Sequence, residues 1–299
     1  MCDMLVALGS ATDVGGTIFA KNSDRPPDEQ QQIRWVPPRH DVGRLRVTHI
    51  EIEPHRDDTF GCLLTQPSWC WGAEHGVNTA GVAIGNEAIY TTLDPRRAAP
   101  ALIGMDLVRL GLERGSSAAH AVDIIVGLLQ RYGQGGSCHD PAGARAGVAY
   151  WSSFLVADPV SAFVIETSGS VVEVEQVASV RAISNRTTIP SFDATHRHPR
   201  QPVERLVDPR WHASNAILAA RPVSVDAVRT HLSSHTSCAV DGWAVCMHAV
   251  EHGALVEVTA SSMIATLVPD GPSTAWVLLG HPCRVPYADV RIGDPFSMG

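Results

Sequence analysis

The chain has 299 residues, 44% of them hydrophobic, enough to bury a large core in one domain. Lys+Arg 23 against Asp+Glu 31 gives a formal charge of −8 with no basic run, which argues against a nucleic-acid backbone or an anionic bilayer as partner and leaves small molecules and proteins. No stretch nears the ~20 apolar residues of a membrane span, and Met4 to Leu8 is too short for a signal peptide and has no basic residues before it, so a cytoplasmic protein is expected.

In chain order, "CDMLVAL" reads as a strand and "GGTIFAKN" as a second, with Thr12 to Gly16 as the turn between them. Proline-rich loops follow at Pro26-Pro27 and Pro37-Pro38. "SWCWGAEHGV", "NTAG" and "VAIGNEAIY" read as another hairpin, with Trp69 and Trp71 alternating on one strand face where they could line a substrate pocket. "PALIGMDLVRLGLERG" and "SSAAHAVDIIVGLLQRYG" carry apolar residues at helical spacing and end in glycine. The strands "SSFLVAD", "SAFVIET", "SVVEVEQV" and "SVRAISN" come next, then the loop "THRHPRQP" and helical stretches around "PRWHASNAILAA" and "SVDAVRTHLSSH". "GWAVCMHAV", "SSMIATLV" and "TAWVLLG" close the chain as strands. No repeat or linker cuts it, so residues 1–299 read as a single α+β domain with two sheets covered by helices.

Seven cysteines, an odd number spread from Cys2 to Cys283, do not form a disulfide framework in a chain of this size, and free thiols are expected. A thiol at position 2 is out of place for a structural cysteine, because termini are usually poorly ordered. If the first two strands pair through a turn of two to five residues, opposed residues sum to about 26 to 28, which sets Cys2 opposite residues 24 to 26 and beside Lys21, Asp24 and Arg25. Of the 23 basic residues only Lys21 is a lysine. Removal of Met1, which the small residue at position 2 permits, gives Cys2 a thiol and a free α-amine, with reference pKa values of about 8.5 and 8, so one residue can supply nucleophile and base. Cations such as Lys21 favour the thiolate, and Asp24 could orient the amine.

"MCDMLVALGSATDVGGTIFAKNSDRPPDEQQ" resembles the start of the secernin and dipeptidase family of N-terminal nucleophile hydrolases, akin to choloylglycine hydrolases and penicillin V acylases. The resemblance continues through "WGAEHGVNTAGVAIGNEAIY", the two helical segments, "SSFLVADPVSAFVIET" and "VRAISNR". It implies a four-layer αββα sandwich and hydrolysis of an amide or peptide bond by a terminal cysteine. Carried over by position, it implies Cys2 as nucleophile and base, Asp24 as partner of the amine, and Lys21 as the cation near the thiolate. It also implies Asn86 of "GNEA" as an oxyanion-hole amide and Asn185 of "ISNR" as a second polar group at the reacting carbonyl; Glu87, next to Asn86, joins Trp69 and Trp71 as a candidate substrate-binding residue. The distal arginine of the bile-acid branch finds no match. A preorganised amide donor of this kind lowers the barrier by roughly 2.7 to 4 kcal/mol.

Cys238, Cys246 and His248 in "CAVDGWAVCMH", with Cys138-His139, lack the paired short spacing of a structural zinc site, so no metal and no cofactor is expected. GxSxG, HExxH and nucleotide-binding glycine motifs are absent from the sequence. The reading is a hydrolase of a small peptide or acyl-amide. A non-catalytic interaction protein of secernin type and an acyltransferase sharing the acyl-enzyme stay open, as does a homo-oligomer.

Overall fold

The computed structural model describes residues 1–236 and 241–293. The first half of the chain supplies β1 (Cys2–Ala7), β2 (Thr17–Arg25), β3 (Gln31–Val36), the short ribbon of β4 (Leu45–Arg46) and β5 (Glu51–Ile52), β6 (Cys62–Pro67), β7 (His75–Asn78) and β8 (Ala83–Ile89). Helices α1 (Gly104–Arg114) and α2 (Ala118–Tyr132) follow, then β9 (Trp151–Ala157), β10 (Ala162–Ser168), β11 (Val171–Gln176) and β12 (Val180–Ser184). The last third holds α3 (Pro190–His196), α4 (Val203–Leu206), α5 (Asp208–Ala219), α6 (Val225–Leu232), β13 (His248–Glu251), β14 (Ala254–Leu267), β15 (Thr274–Leu279) and β16 (Ala288–Arg291).

Two sheets result. One has the order β12-β1-β2-β14-β15-β16 with β13 paired to β14, and the other has the order β11-β10-β9-β8-β7-β6-β3. Alternation along each strand sends one set of side chains between the sheets and the other toward helices. Met4, Val6 and Phe19 of the first sheet meet Val77, Ala83, Leu155 and Val164 of the second in a shared core. Leu5, Ile18 and Ala20 point the other way, onto Leu218 of α5 and Val228 of α6. Ile84 and Phe154 pack outward onto Leu107 of α1 and Ile125 of α2. Helix, sheet, sheet and helix form four layers.

The local readings hold for most elements and fail where turn chemistry decides. The β1–β2 connection is not a short turn: it runs from Leu8 to Gly16 with a 3-10 turn at Gly9–Ala11, so Cys2 faces Ser23 rather than residues 24 to 26. Trp69 and Trp71 lie in the turn between β6 and β7, not on a strand. "GWAVCMHAV" becomes a strand only from His248. Asp241 and Gly242 take positive φ there, and a Cβ on Gly242 would stand 2.0 Å from the His248 carbonyl oxygen.

Candidate active site

Cys2 begins a strand whose inner residues, Met4 and Val6, lie between the sheets. In the antiparallel register Cys2 faces Ser23 and Met4 faces Lys21, so Lys21 is the diagonal neighbour of Cys2 on the same inner face. The thiol is buried, and with Met1 in place burial pushes it up to about 11, against the pull of the Lys21 charge. Its backbone is clamped from the helical side. The Cys2 amide nitrogen donates to Asn185 Oδ1 at 2.6 Å, and Arg210 of α5 donates to the Cys2 carbonyl at 3.2 Å, to Asp3 at 2.5 Å and to Asn185 Oδ1 at 3.2 Å.

Lys21 is fully buried and spends its ammonium protons on the second sheet: the Glu74 carbonyl at 3.1 Å, the Glu74 carboxylate at 3.2 Å and the Asn86 carbonyl. Glu74 also pairs with Arg25 at 3.2 Å, and Arg25 with Glu29 at 2.5 Å. A Cβ on Gly85 would come 2.9 Å from Lys21 Cδ, so glycine there gives the lysine stem room to cross between the sheets. Next to this chain of charges, Ser23 Oγ meets buried His75 Nδ1 at 3.1 Å.

Asp24 alternates to the outer face with Asp3 and Asn22. It accepts from Thr259 Oγ1 at 2.7 Å, while its other oxygen lacks a hydrogen-bond partner and lies 4.0 Å from Arg210. Burial raises its carboxyl to about 7. The ammonium of Met1 does not reach the Asp24 carboxylate. It donates to the Asp24 carbonyl at 3.1 Å and to Glu257 Oε1 at 2.5 Å, and Glu257 is itself buried and bound by Arg145 at 2.6 Å.

The structure separates the remaining candidates. Asn86 pairs with Phe154 of the outer core, and a Cβ on Gly104 of α1 would stand 2.5 Å from its side-chain nitrogen, so its amide faces the helices and only its carbonyl reaches Lys21. The alternation of β8 (Ala83, Gly85 and Ile89 inward) dictates this, and it turns Glu87, one residue on, into the inter-sheet space. Both Glu87 oxygens lack partners, and burial holds the carboxyl well above its usual range. Asn185 touches the Cys2 nitrogen through its oxygen and gives its amide to the Ala88 carbonyl at 3.0 Å. Trp71 is drawn away under the Arg109 guanidinium, 4.0 Å over its ring, whereas Trp69 packs beside Tyr150 and Cys138. Cys138 belongs to that apolar cluster and His139 lies 3.6 Å from Glu29; Cys238 falls outside the described residues.

Arg210, Glu74, His75 and Glu257 are the site residues that sequence reasoning missed. Glu74 and His75 lie inside "WGAEHGV", where a buried charge beside a histidine within an apolar strand was the available signal. Arg210 and Glu257 carry no comparable mark.

No family model matches the chain. Among solved structures, a variant of the conjugated bile acid hydrolase from Clostridium perfringens aligns over 100% of this chain and 99% of its own, with 11% identity and a TM-score of 0.56. The fold is the αββα sandwich of the N-terminal nucleophile hydrolases. Penicillin V acylase from Agrobacterium tumefaciens aligns over 93% of this chain and 83% of its own, at 12% identity and a TM-score of 0.53. The Caenorhabditis elegans ortholog of N-acylethanolamine-hydrolyzing acid amidase covers 90% and 94%, at 14% identity and a TM-score of 0.50. At these identities the likeness is one of fold. Among the described residues no helix is long and apolar enough to cross a membrane.

Proposed function

We propose that this chain hydrolyses amide bonds through Cys2 once residue 1 and anything before it are removed, and that its substrates are small peptides with a free amino end. The observation that carries the reading is the placement of Cys2: its thiol is buried on the face that holds Lys21, while Asn185 receives the very nitrogen that becomes the α-amine. Three solved structures of the same fold belong to amide-cleaving proteins by name, which supports the reaction class.

The freed amine takes the thiol proton, and the thiolate, favoured by the Lys21 charge, attacks the substrate carbonyl carbon. The tetrahedral intermediate collapses with cleavage of the C–N bond, the leaving amine taking the proton held by the Cys2 ammonium. A water molecule, deprotonated by the same amine, then attacks the thioester, releasing a carboxylic acid and restoring the thiol. With residue 1 attached, the nitrogen is an amide and cannot act as base, and the thiol sits at about 11. The unprocessed chain is therefore inert. Asn185 is the neutral amide placed to meet the developing oxyanion, by exchanging the Ala88 carbonyl for the substrate's.

Preference for a free amino end is supported by Met1. Its ammonium is held by buried Glu257 and the Asp24 carbonyl, and its removal leaves the Glu257–Arg145 pair to take another ammonium group. Kinetics on a dipeptide and its N-acetylated form test this. Cleavage of the free dipeptide with at least a tenfold higher kcat/KM supports it, and Glu257→Gln should erase most of the difference. Equal or better cleavage of the acetylated form contradicts it and favours an acyl-amide substrate. Absence of turnover in a processed chain favours a non-catalytic protein, and product formation that depends on an added amine favours an acyltransferase.

A further inference from the structure

Outside the inter-sheet face, folding gathers four donors that are scattered along the sequence. The ligating atoms of His235, Cys246, His248 and Cys283 all lie within 4.8 Å of one another. His235 follows α6, Cys246 and His248 flank the entry to β13, and Cys283 lies between β15 and β16. Two of these residues, Cys246 and His248, stand in the sequence without the short paired spacing of a zinc motif. The partners that complete the set come from other segments, which spacing along the chain cannot reveal.

The internal geometry of the cluster is that of a coordination shell. Zinc bonds of about 2.3 Å to sulfur and 2.0 to 2.1 Å to nitrogen, arranged tetrahedrally, put sulfur and nitrogen donors about 3.5 Å apart. His248 Nε2 lies 3.5 Å from Cys246 Sγ and 3.3 Å from Cys283 Sγ. Thiol–imidazole hydrogen bonding accounts for only half of this. An imidazole nitrogen offers one lone pair or one N–H, so it serves one of the two sulfurs and leaves the other contact unused. A cation at the centre uses that lone pair and both sulfurs together. His235 packs edge-on against His248, ring centroids 5.1 Å apart, and the His281 ring lies tilted against His248 at 4.3 Å.

We propose that His235, Cys246, His248 and Cys283 form a structural zinc site. Two thiolates with two imidazoles suit Zn2+ over the hard cations, and four protein ligands close the tetrahedron without a position for water or substrate. Loading displaces the two thiol protons to solvent as two sulfur–zinc bonds form, with no change of oxidation state. The site also bears on the rest of the molecule. Met247, between two ligands, exchanges hydrogen bonds with Thr259, its carbonyl accepting at 3.1 Å and its amide donating at 2.8 Å, and the Thr259 hydroxyl in turn donates to Asp24. A metal here fixes the loop that braces Asp24.

The test is metal content and cobalt spectroscopy on the full chain, purified without chelator from zinc-supplemented cells. One zinc ion per chain is expected, together with a visible band and near-ultraviolet thiolate charge transfer when Co2+ replaces Zn2+. Cys283→Ser and Cys246→Ser should lose the ion and the charge-transfer band. Should either variant fail to fold, His235→Asn, altering an exposed ligand, must still weaken zinc retention against a chelator at least tenfold. A parent protein without zinc that also gives no thiolate band with Co2+ overturns the proposal. So does an intact mass lighter by two hydrogens with Cys246 and Cys283 linked as a disulfide.

Discussion

Lys21 is the residue on which the charge balance of the site turns. Its three ammonium contacts, two carbonyls and one carboxylate, match the three donors of a compact point charge, and its stem runs close against Gly85, where only the lack of a Cβ leaves it room. A guanidinium has a planar fork and more bulk, so Lys21→Arg should fold yet lower kcat/KM. Lys21→Met leaves Glu74 sharing only Arg25 and strips the thiol of the charge that most favours its thiolate, which should cost several kcal/mol of stability and move the midpoint of iodoacetamide inactivation of Cys2 to higher pH. Superimposable inactivation profiles for parent and both variants would show Lys21 to be a structural cation alone. Asn86 offers the opposite case. Its amide faces α1 with both polar atoms unpartnered, so Asn86→Ala should change kcat by less than about threefold, far from the 10² to 10³ lost when an oxyanion donor is removed. Asn185→Ala, by contrast, should lower kcat at least tenfold in the folded protein, and should also lower the melting temperature because it strands the Cys2 nitrogen, Arg210 and the Ala88 carbonyl. A hundredfold loss at Asn86 and none at Asn185 would reverse the assignment.

Among the elements, β1 and β2 were legible as two short apolar runs, MLVAL and TIFA, divided by a glycine-bearing segment, and pairing them antiparallel brings Cys2 beside Lys21. Their register was not, because a loop holding a 3-10 turn does not obey hairpin arithmetic, and Ser23 rather than Asp24 faces Cys2. Face assignment on β8 was equally hidden: neighbours Asn86 and Glu87 point to opposite layers, and the apolar run around them gives no phase. On α5 the apolar residues form little of a stripe, so nothing marked Arg210 among 22 arginines as a fully buried one. The inner face of β10 carries a pH-dependent element of stability. Burial pushes the Glu166 carboxyl up to about 7 from 4.5, although the Thr188 and Ile189 amides favour its charged form. A raised carboxyl stabilises the fold below its unfolded value and loses that contribution as pH rises through its folded one. Between about pH 4 and pH 8 the unfolding free energy of the parent should therefore fall by about 3 kcal/mol relative to Glu166→Gln. Parallel curves for the two proteins would exclude this carboxyl as the cause.

For the whole molecule, four layers explain why a chain terminus becomes a buried site. β1 is interior to its sheet, flanked by β12 and β2, so the residue that opens it is held between a second sheet and α5 instead of fraying. The groups that close around it come from β8, α5 and β14 and from the residues just before β7 and just after β12, and such long-range meetings leave no local trace in the sequence. The central claim is that exposure of the Cys2 amine turns a protonated, inert thiol into a nucleophile. Intact mass of the purified protein before and after a thiol-directed acylating probe, with Cys2→Ala alongside, reads both steps together. The account predicts a parent chain beginning at Cys2 that takes up one acyl group, lost in the alanine variant along with turnover. A parent that keeps Met1 and still turns over substrate at full rate, or an alanine variant that hydrolyses as fast as the parent, would contradict it.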